Sequence, residues 1–140
     1  MYKNLIADKN FSHLIHLVAK TEGVSPQVLS RKIATGECVI TCNNTKKLKT
    51  PCAIGYGLRT KINVNIGTST DKNNLAVELK KLQTCVELGA DAVMDLSLGG
   101  DLKKIRSAII KNSPMPVGTV PIYEAASSAL KRKGSFLRME

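Results

Sequence analysis

From residue 61 onward the chain repeats one unit three times: a short apolar run, a glycine-bearing or proline-bearing turn, and an amphipathic stretch. Alternation of this kind, at intervals of about 25–30 residues, implies parallel strands joined by helical crossovers. Lys61 to Ile66 predicts the first strand, ending at Gly67-Thr68-Ser69. Thr70 or Asp71 is then expected to cap a helix whose Leu75, Leu79, Leu82 and Val86 recur at helical spacing, with Gly89 closing it. Ala90 to Leu96 is the second strand, ended by Ser97-Leu98-Gly99-Gly100. Asp101 caps a helix that turns Leu102, Ile105 and Ile109 inward and stops before Pro114. Pro116 to Val120 is the third strand, and Ile122 to Lys133 the third helix. A doubly wound sheet and a βα barrel both fit this spacing.

The preceding part reads differently, so the expected organisation is a helical region and connecting loop over 1–60 and a βα region over 61–140. Residues 10–36 predict a helical pair. Asn10 or Ser12 caps the first helix, which carries Leu14, Leu17 and Val18 on one side and ends at Gly23. Ser25-Pro26 opens the second, with Leu29 and Ile33 as its stripe and Gly36 as its stop. An apolar run follows from Cys38 to Thr41, then a polar loop over 43–51 and a flexible Gly55-Tyr56-Gly57 stretch. A length of 140 residues suits one ordinary domain. A complete barrel needs about 250, so a barrel reading makes this chain its first part only.

Composition narrows the function classes. The net charge of +10 invites a nucleic-acid reading. Its distribution argues against one: residues 1–60 hold nine Lys/Arg against three acids, and residues 61–140 hold twelve against eight. Only Lys46-Lys47-Lys49 and Lys131-Arg132-Lys133 cluster, and aromatic residues for base stacking are scarce. A generally lysine-rich surface explains the charge better, and it leaves phosphate esters among the acceptable partners. No apolar run approaches the roughly 18 residues of a membrane span, and the N-terminus lacks a signal-peptide core, so the cytoplasm is the expected location. Cysteines stand at 38, 42, 52 and 85, without the Cys-x-x-Cys spacing of zinc or redox sites. Cys38 and Cys42 share a strand face, yet two thiols do not make a metal site. Cys85 falls within a helical apolar pattern and is expected in the core.

Ligands of parallel α/β folds bind outside the carboxyl ends of the strands. That rule selects three segments. Asn63 and Asn65 lie on one strand face by the period of two. Their amides either meet a heterocycle or sugar hydroxyl or tie down nearby backbone. Asp95 ends an apolar strand, where a carboxylate is costly unless paired; it binds ligand or holds a loop amide or a lysine. Met94 beside it offers an adaptable apolar wall. Tyr123 sits two residues after Pro121, near a helix N-terminus that favours anions, although a surface tyrosine there is equally ordinary. The Asn-Ile-Gly-Thr-Ser turn is not a Walker loop.

In order, the three segments are Lys-Ile-Asn-Val-Asn-Ile-Gly-Thr-Ser (61–69), Gly-Ala-Asp-Ala-Val-Met-Asp-Leu-Ser (89–97) and Pro-Val-Gly-Thr-Val-Pro-Ile-Tyr (116–123). Together with the helix–Gly-Val-Ser-Pro segment (22–29), Asn112-Ser113-Pro114 and Lys133-Gly134-Ser135, they resemble the phosphomethylpyrimidine synthase (ThiC) family, over the front portion of a member. The resemblance implies an N-terminal region, a TIM-type (βα)8 barrel of which this chain holds three units, and a later cluster-binding segment. It implies a radical S-adenosylmethionine lyase that converts aminoimidazole ribotide to hydroxymethylpyrimidine phosphate for thiamine. A [4Fe-4S] cluster, S-adenosylmethionine and a zinc-type metal site would serve as cofactors. Carried over by position, Asn65, Met94 and Tyr123 match residues lining the ribotide site; no catalytic residue is assigned.

The departures bear on activity. Neither the family's late Cys-x-x-Cys-x-x-x-x-Cys motif nor its paired metal-binding histidines occur here. His13 and His16 lie in the first helix, one expected partly buried and the other exposed, and correspond to neither. The chain alone is therefore expected to be inactive, pairing with the missing barrel part or forming a homodimer. A 5-hydroxybenzimidazole synthase of the cobamide pathway, to which Leu98-Gly99-Gly100-Asp101-Leu102 is also acceptable, is one alternative. A non-catalytic truncated binding or assembly module is another.

Overall fold

The computed structural model describes residues 9–41 and 48–133, and it divides into two compact units, Met1–Lys61 and Ile62–Glu140. Cys42, Lys46 and Lys47 lie outside the described residues, as do the Asn43 and Asn44 of the expected polar loop.

In the first unit, α1 (Lys9–Glu22) and α2 (Pro26–Ala34) pack against a two-stranded antiparallel sheet of β1 (Cys38–Ile40) and β2 (Ala53–Gly55). Ser25 caps α2 through its hydroxyl, which accepts from Val28 N at 3.2 Å, as the Ser-Pro pair predicted. The first cap differs. Helix α1 is already under way at Lys9, so Asn10 and Ser12 are internal to it. Its inward face is Ile15, Val18 and Ala19, with Leu14 packed alongside; Leu17 is exposed, and so are both histidines. Gly55 is no flexible linker, because Cys38 pairs with it across the ladder and its missing Cβ leaves room for the Glu37 and Cys38 backbone. Glu22 is buried at the end of α1. One carboxylate oxygen accepts from Arg59 N at 3.0 Å and Lys61 Nζ at 2.5 Å.

The second unit carries a parallel sheet in the order β3 (Asn63–Ile66), β4 (Ala92–Asp95), β5 (Val117–Thr119). The crossovers are α3 (Leu75–Glu87) and α4 (Leu102–Asn112), and α5 (Pro121–Lys133) follows β5. The three βα units are thus present in the expected order and the fold is mixed α/β. Asp101 caps α4, accepting from Lys104 N at 3.0 Å. Helix α3 starts later than Thr70 or Asp71 would place it: Asn74 caps it, because Ser69 and Lys72 bond to each other in a turn of their own. Its core residues are Leu82 and Cys85, with Leu75 and Leu79 alongside, whereas Val86 faces out. Alternation then divides the sheet. Val64, Ile66, Val93 and Val117 pack with Ile105, Ile109 and Met115 on the helix side. Arg106 and Glu124 form an ion pair linking α4 to α5.

Candidate functional site

The other face of this sheet carries a different set of residues. Parallel register pairs Asn63 with Ala92, Asn65 with Met94, and Met94 with Gly118. Asn65, Met94 and Gly118 therefore form one row across three strands, near their carboxyl ends. Asn63 and Asn65 are exposed and Met94 is half-buried. Gly118, in the sequence only one member of the third strand-end segment, contributes space. A Cβ there would meet the Met94 Sδ and Cε at 2.9 Å, so the thioether lies across the bare backbone of β5. The row offers an amide that both donates and accepts beside a polarisable apolar surface.

Tyr123 stands apart from this row. It occupies the first turn of α5, its N–H donates to Val120 O at 3.1 Å, and the residue is 37% exposed. Asp95 resolves the choice the sequence left open in favour of the loop amide. It pairs in register with Ile66, hence on the helix side and away from Asn65. Its Oδ1 accepts from Ser97 N at 3.0 Å and from Ser97 Oγ at 2.5 Å.

The turn after β3 uses its own donors internally. Gly67 N donates to Glu78 Oε2 at 2.8 Å, Thr68 N to Ser97 Oγ at 3.2 Å, and Ser69 N to Lys72 O at 2.9 Å. Gly67, at φ +146°, brings the turn so close to β4 that a Cβ would lie 2.6 Å from Ser97 N. Gly99 in turn makes room for the Ser69 backbone.

Among the described residues no three of His, Cys, Asp and Glu gather as metal ligands. Cys38 and Cys85 belong to separate cores. Burial raises the Cys38 thiol above its ordinary range, the reverse of what a thiolate ligand needs. A mainly apolar groove of about 610 Å³ runs along the outer edge of β3 beside α3 and includes Asn65 in its lining. Ile62, Val64, Val77 and Leu88 line it, with Lys80 and Lys81 on the helix side. No described helix is long and apolar enough to cross a membrane.

Fold and candidate site together define a parallel βα unit with the Asn65, Met94 and Gly118 row near its strand ends. The Radical SAM ThiC family matches residues 5–140, so the chain belongs to that family. It is 53% identical over 125 residues to the phosphomethylpyrimidine synthase of Thermodesulfovibrio yellowstonii, covering 89% of this chain and 29% of that protein. The synthase of Syntrophus aciditrophicus is 50% identical over 123 residues (88% of this chain, 29% of the relative). That of Methanococcus maripaludis is 49% identical over 123 residues, with the same coverage. The chain thus spans less than a third of the length of the curated relatives it matches.

Proposed function

We propose that this chain forms one wall of the aminoimidazole ribotide site of a phosphomethylpyrimidine synthase, a radical S-adenosylmethionine lyase of thiamine biosynthesis. The observation that carries the reading is the row Asn65–Met94–Gly118 on the uncovered sheet face, in a chain that matches proteins of that name. Asn65 would hydrogen-bond the ligand's polar edge while Met94 packs against its ring. Tyr123 would reach the same ligand from the first turn of α5. The phenol would act as a hydrogen-bond donor near a helix N-terminus.

The cofactors of the reaction are those of the family, a [4Fe-4S] cluster with S-adenosylmethionine, and a zinc-type site. The described residues do not fit either metal group, since no set of three His, Cys, Asp or Glu donors converges among them. We accordingly propose that the isolated chain is inactive. The same reading makes β3, β4 and β5 the first three strands of a TIM-type barrel. The open edge of β3 and the apolar groove beside α3 then accept the remainder of the barrel, in a soluble cytoplasmic enzyme. A homodimer is compatible with this assembly.

The test is a chimera in which this chain replaces the matching front portion of the Thermodesulfovibrio yellowstonii synthase. With reductant, S-adenosylmethionine and ribotide it should yield hydroxymethylpyrimidine phosphate, and Asn65→Ala should lower kcat/KM by about 100-fold. A folded, cluster-loaded chimera without turnover overturns the reading. Formation of 5-hydroxybenzimidazole would move it to the cobamide alternative, and turnover by the 140-residue chain alone would refute its inactivity.

A further inference from the structure

Beneath the Asn65 row lies a buried polar network that the ligand face does not itself use. Thr68, Glu78, Asp95 and Ser97 are all buried, at 3%, 2%, 6% and 7% exposure. Buried polar groups at a sheet end are costly unless each finds a partner. An apolar plug would fill the same space with less desolvation. Their arrangement shows what they achieve.

The Ser97 hydroxyl has one proton. It lies 2.5 Å from Asp95 Oδ1, and an ionised carboxylate can only accept, so the proton points there. The hydroxyl's lone pairs are then left for Thr68 N, which donates at 3.2 Å. Asp95 thus fixes the direction of the Ser97 hydroxyl, and the charge-assisted bond makes its oxygen a stronger acceptor. Thr68 Oγ1 donates to Gly99 O at 2.7 Å, and Leu98 N donates back to Thr68 O at 2.9 Å. On the other side, Glu78 accepts from Gly67 N with one oxygen and from Lys81 Nζ at 2.7 Å with the other. Two consecutive amides of the β3 turn are therefore held by two carboxylates, one directly and one through a serine.

Resting on the ribotide-wall reading, we propose that Asp95, Ser97 and Glu78 are positioning residues that set the register of the β3 and β4 ends and hence the spacing of Asn65 and Met94. Asn65 precedes Gly67 by two residues, and Met94 adjoins Asp95, so the network grips both strands immediately beyond the ligand row. The side chains themselves lie on the helix side. They act through the row and do not touch the ligand.

The experiment uses the chimeric synthase and reads two quantities. Ser97→Ala should raise the KM for aminoimidazole ribotide about 10-fold with kcat changed less than about 3-fold. Asp95→Asn, which keeps the shape but loses the charge, should fall between Ser97→Ala and the parent, and Ser97→Thr should restore the parent value. Combined with Asn65→Ala, Ser97→Ala should add little further KM increase, since both act through one contact. Additive effects would assign Ser97 to general stability and overturn the proposal. The second readout needs no ligand: amide hydrogen exchange at Thr68 should accelerate by about 10-fold or more in Ser97→Ala, since its acceptor is gone. Unchanged exchange overturns the relay whether or not ribotide binds. Accelerated exchange with unchanged KM overturns the link to Asn65. A parent chimera that binds no ribotide yet shows the exchange effect would sink the ribotide-wall reading and leave the relay standing. If Ser97→Ala does not fold, the Asp95→Asn pair of readouts decides.

Discussion

The two faces of the β3–β4–β5 sheet follow different rules. The helix-covered face is mainly aliphatic packing, Val64, Ile66, Val93 and Val117 against Ile105, Ile109 and Met115, with the Asp95 network at its carboxyl end. The opposite face presents two asparagines, an alanine, a methionine and a glycine. Burial of the first face stabilises the unit at about 25 cal/mol per Å² of apolar surface. The second does little for stability, because its side chains remain exposed or half-buried. On the proposed reading, stability and recognition are separated by one residue of strand phase. A substitution at Val93 and one at Met94 should therefore fail in different assays.

Ile109→Ala gives the largest effect on stability. Its side chain is fully buried between α4 and the sheet, so urea unfolding should show a loss of about 2–5 kcal/mol. A loss below about 1 kcal/mol would break the comparison by showing that the covered face is not the stabilising one. Gly118→Ala comes next. The added Cβ meets the flexible end of Met94, so the loss of stability should stay near 1 kcal/mol while ribotide KM rises as the thioether is displaced. Asn65→Ala should cost little stability, within about 0.5 kcal/mol, while producing the largest loss of ligand affinity. An equal loss of stability at Asn65 and Ile109 would erase the distinction between the faces.

The smallest effect belongs to the helical unit and serves as a control. Burial raises the Cys38 thiol in the folded state, so its contribution is present in full below the ordinary thiol range and is lost as pH rises through the raised value. Unfolding followed against pH should therefore show a mild alkaline loss that Cys38→Ala removes, with no change in the relative behaviour of the two sheet faces.

Much of this architecture was legible in the residues. The strand–helix alternation placed three strands and their crossovers, and Ser25 and Asp101 were readable as caps because their neighbours also favour helix starts. Asn74 was not, since Thr70 and Asp71 are equally good caps; a Ser69–Lys72 turn made by the chain's local path decides between them. The three residues of β2 are too few to show a period, and pairing with β1 is what makes them a strand. At the site, strand phase alone sets Asp95 opposite to Met94, so its inward role could have been read from parity. Gly118 could not, because the demand for a missing side chain comes from a methionine on the neighbouring strand. The grouping of Asn65 with Met94 depended on a register that no single segment contains.

The occupied amides of Gly67, Thr68 and Ser69 carry a further consequence. A turn with free N–H groups presents a positive potential, whereas this one directs its donors into the protein and offers an incoming anion little. The strand residues of the sheet face above it carry no ionisable group, bearing only amides, a methyl, a thioether and bare backbone. Recognition along this wall would therefore rest on shape and neutral hydrogen bonds, and its share of ligand affinity should change little between low and high ionic strength.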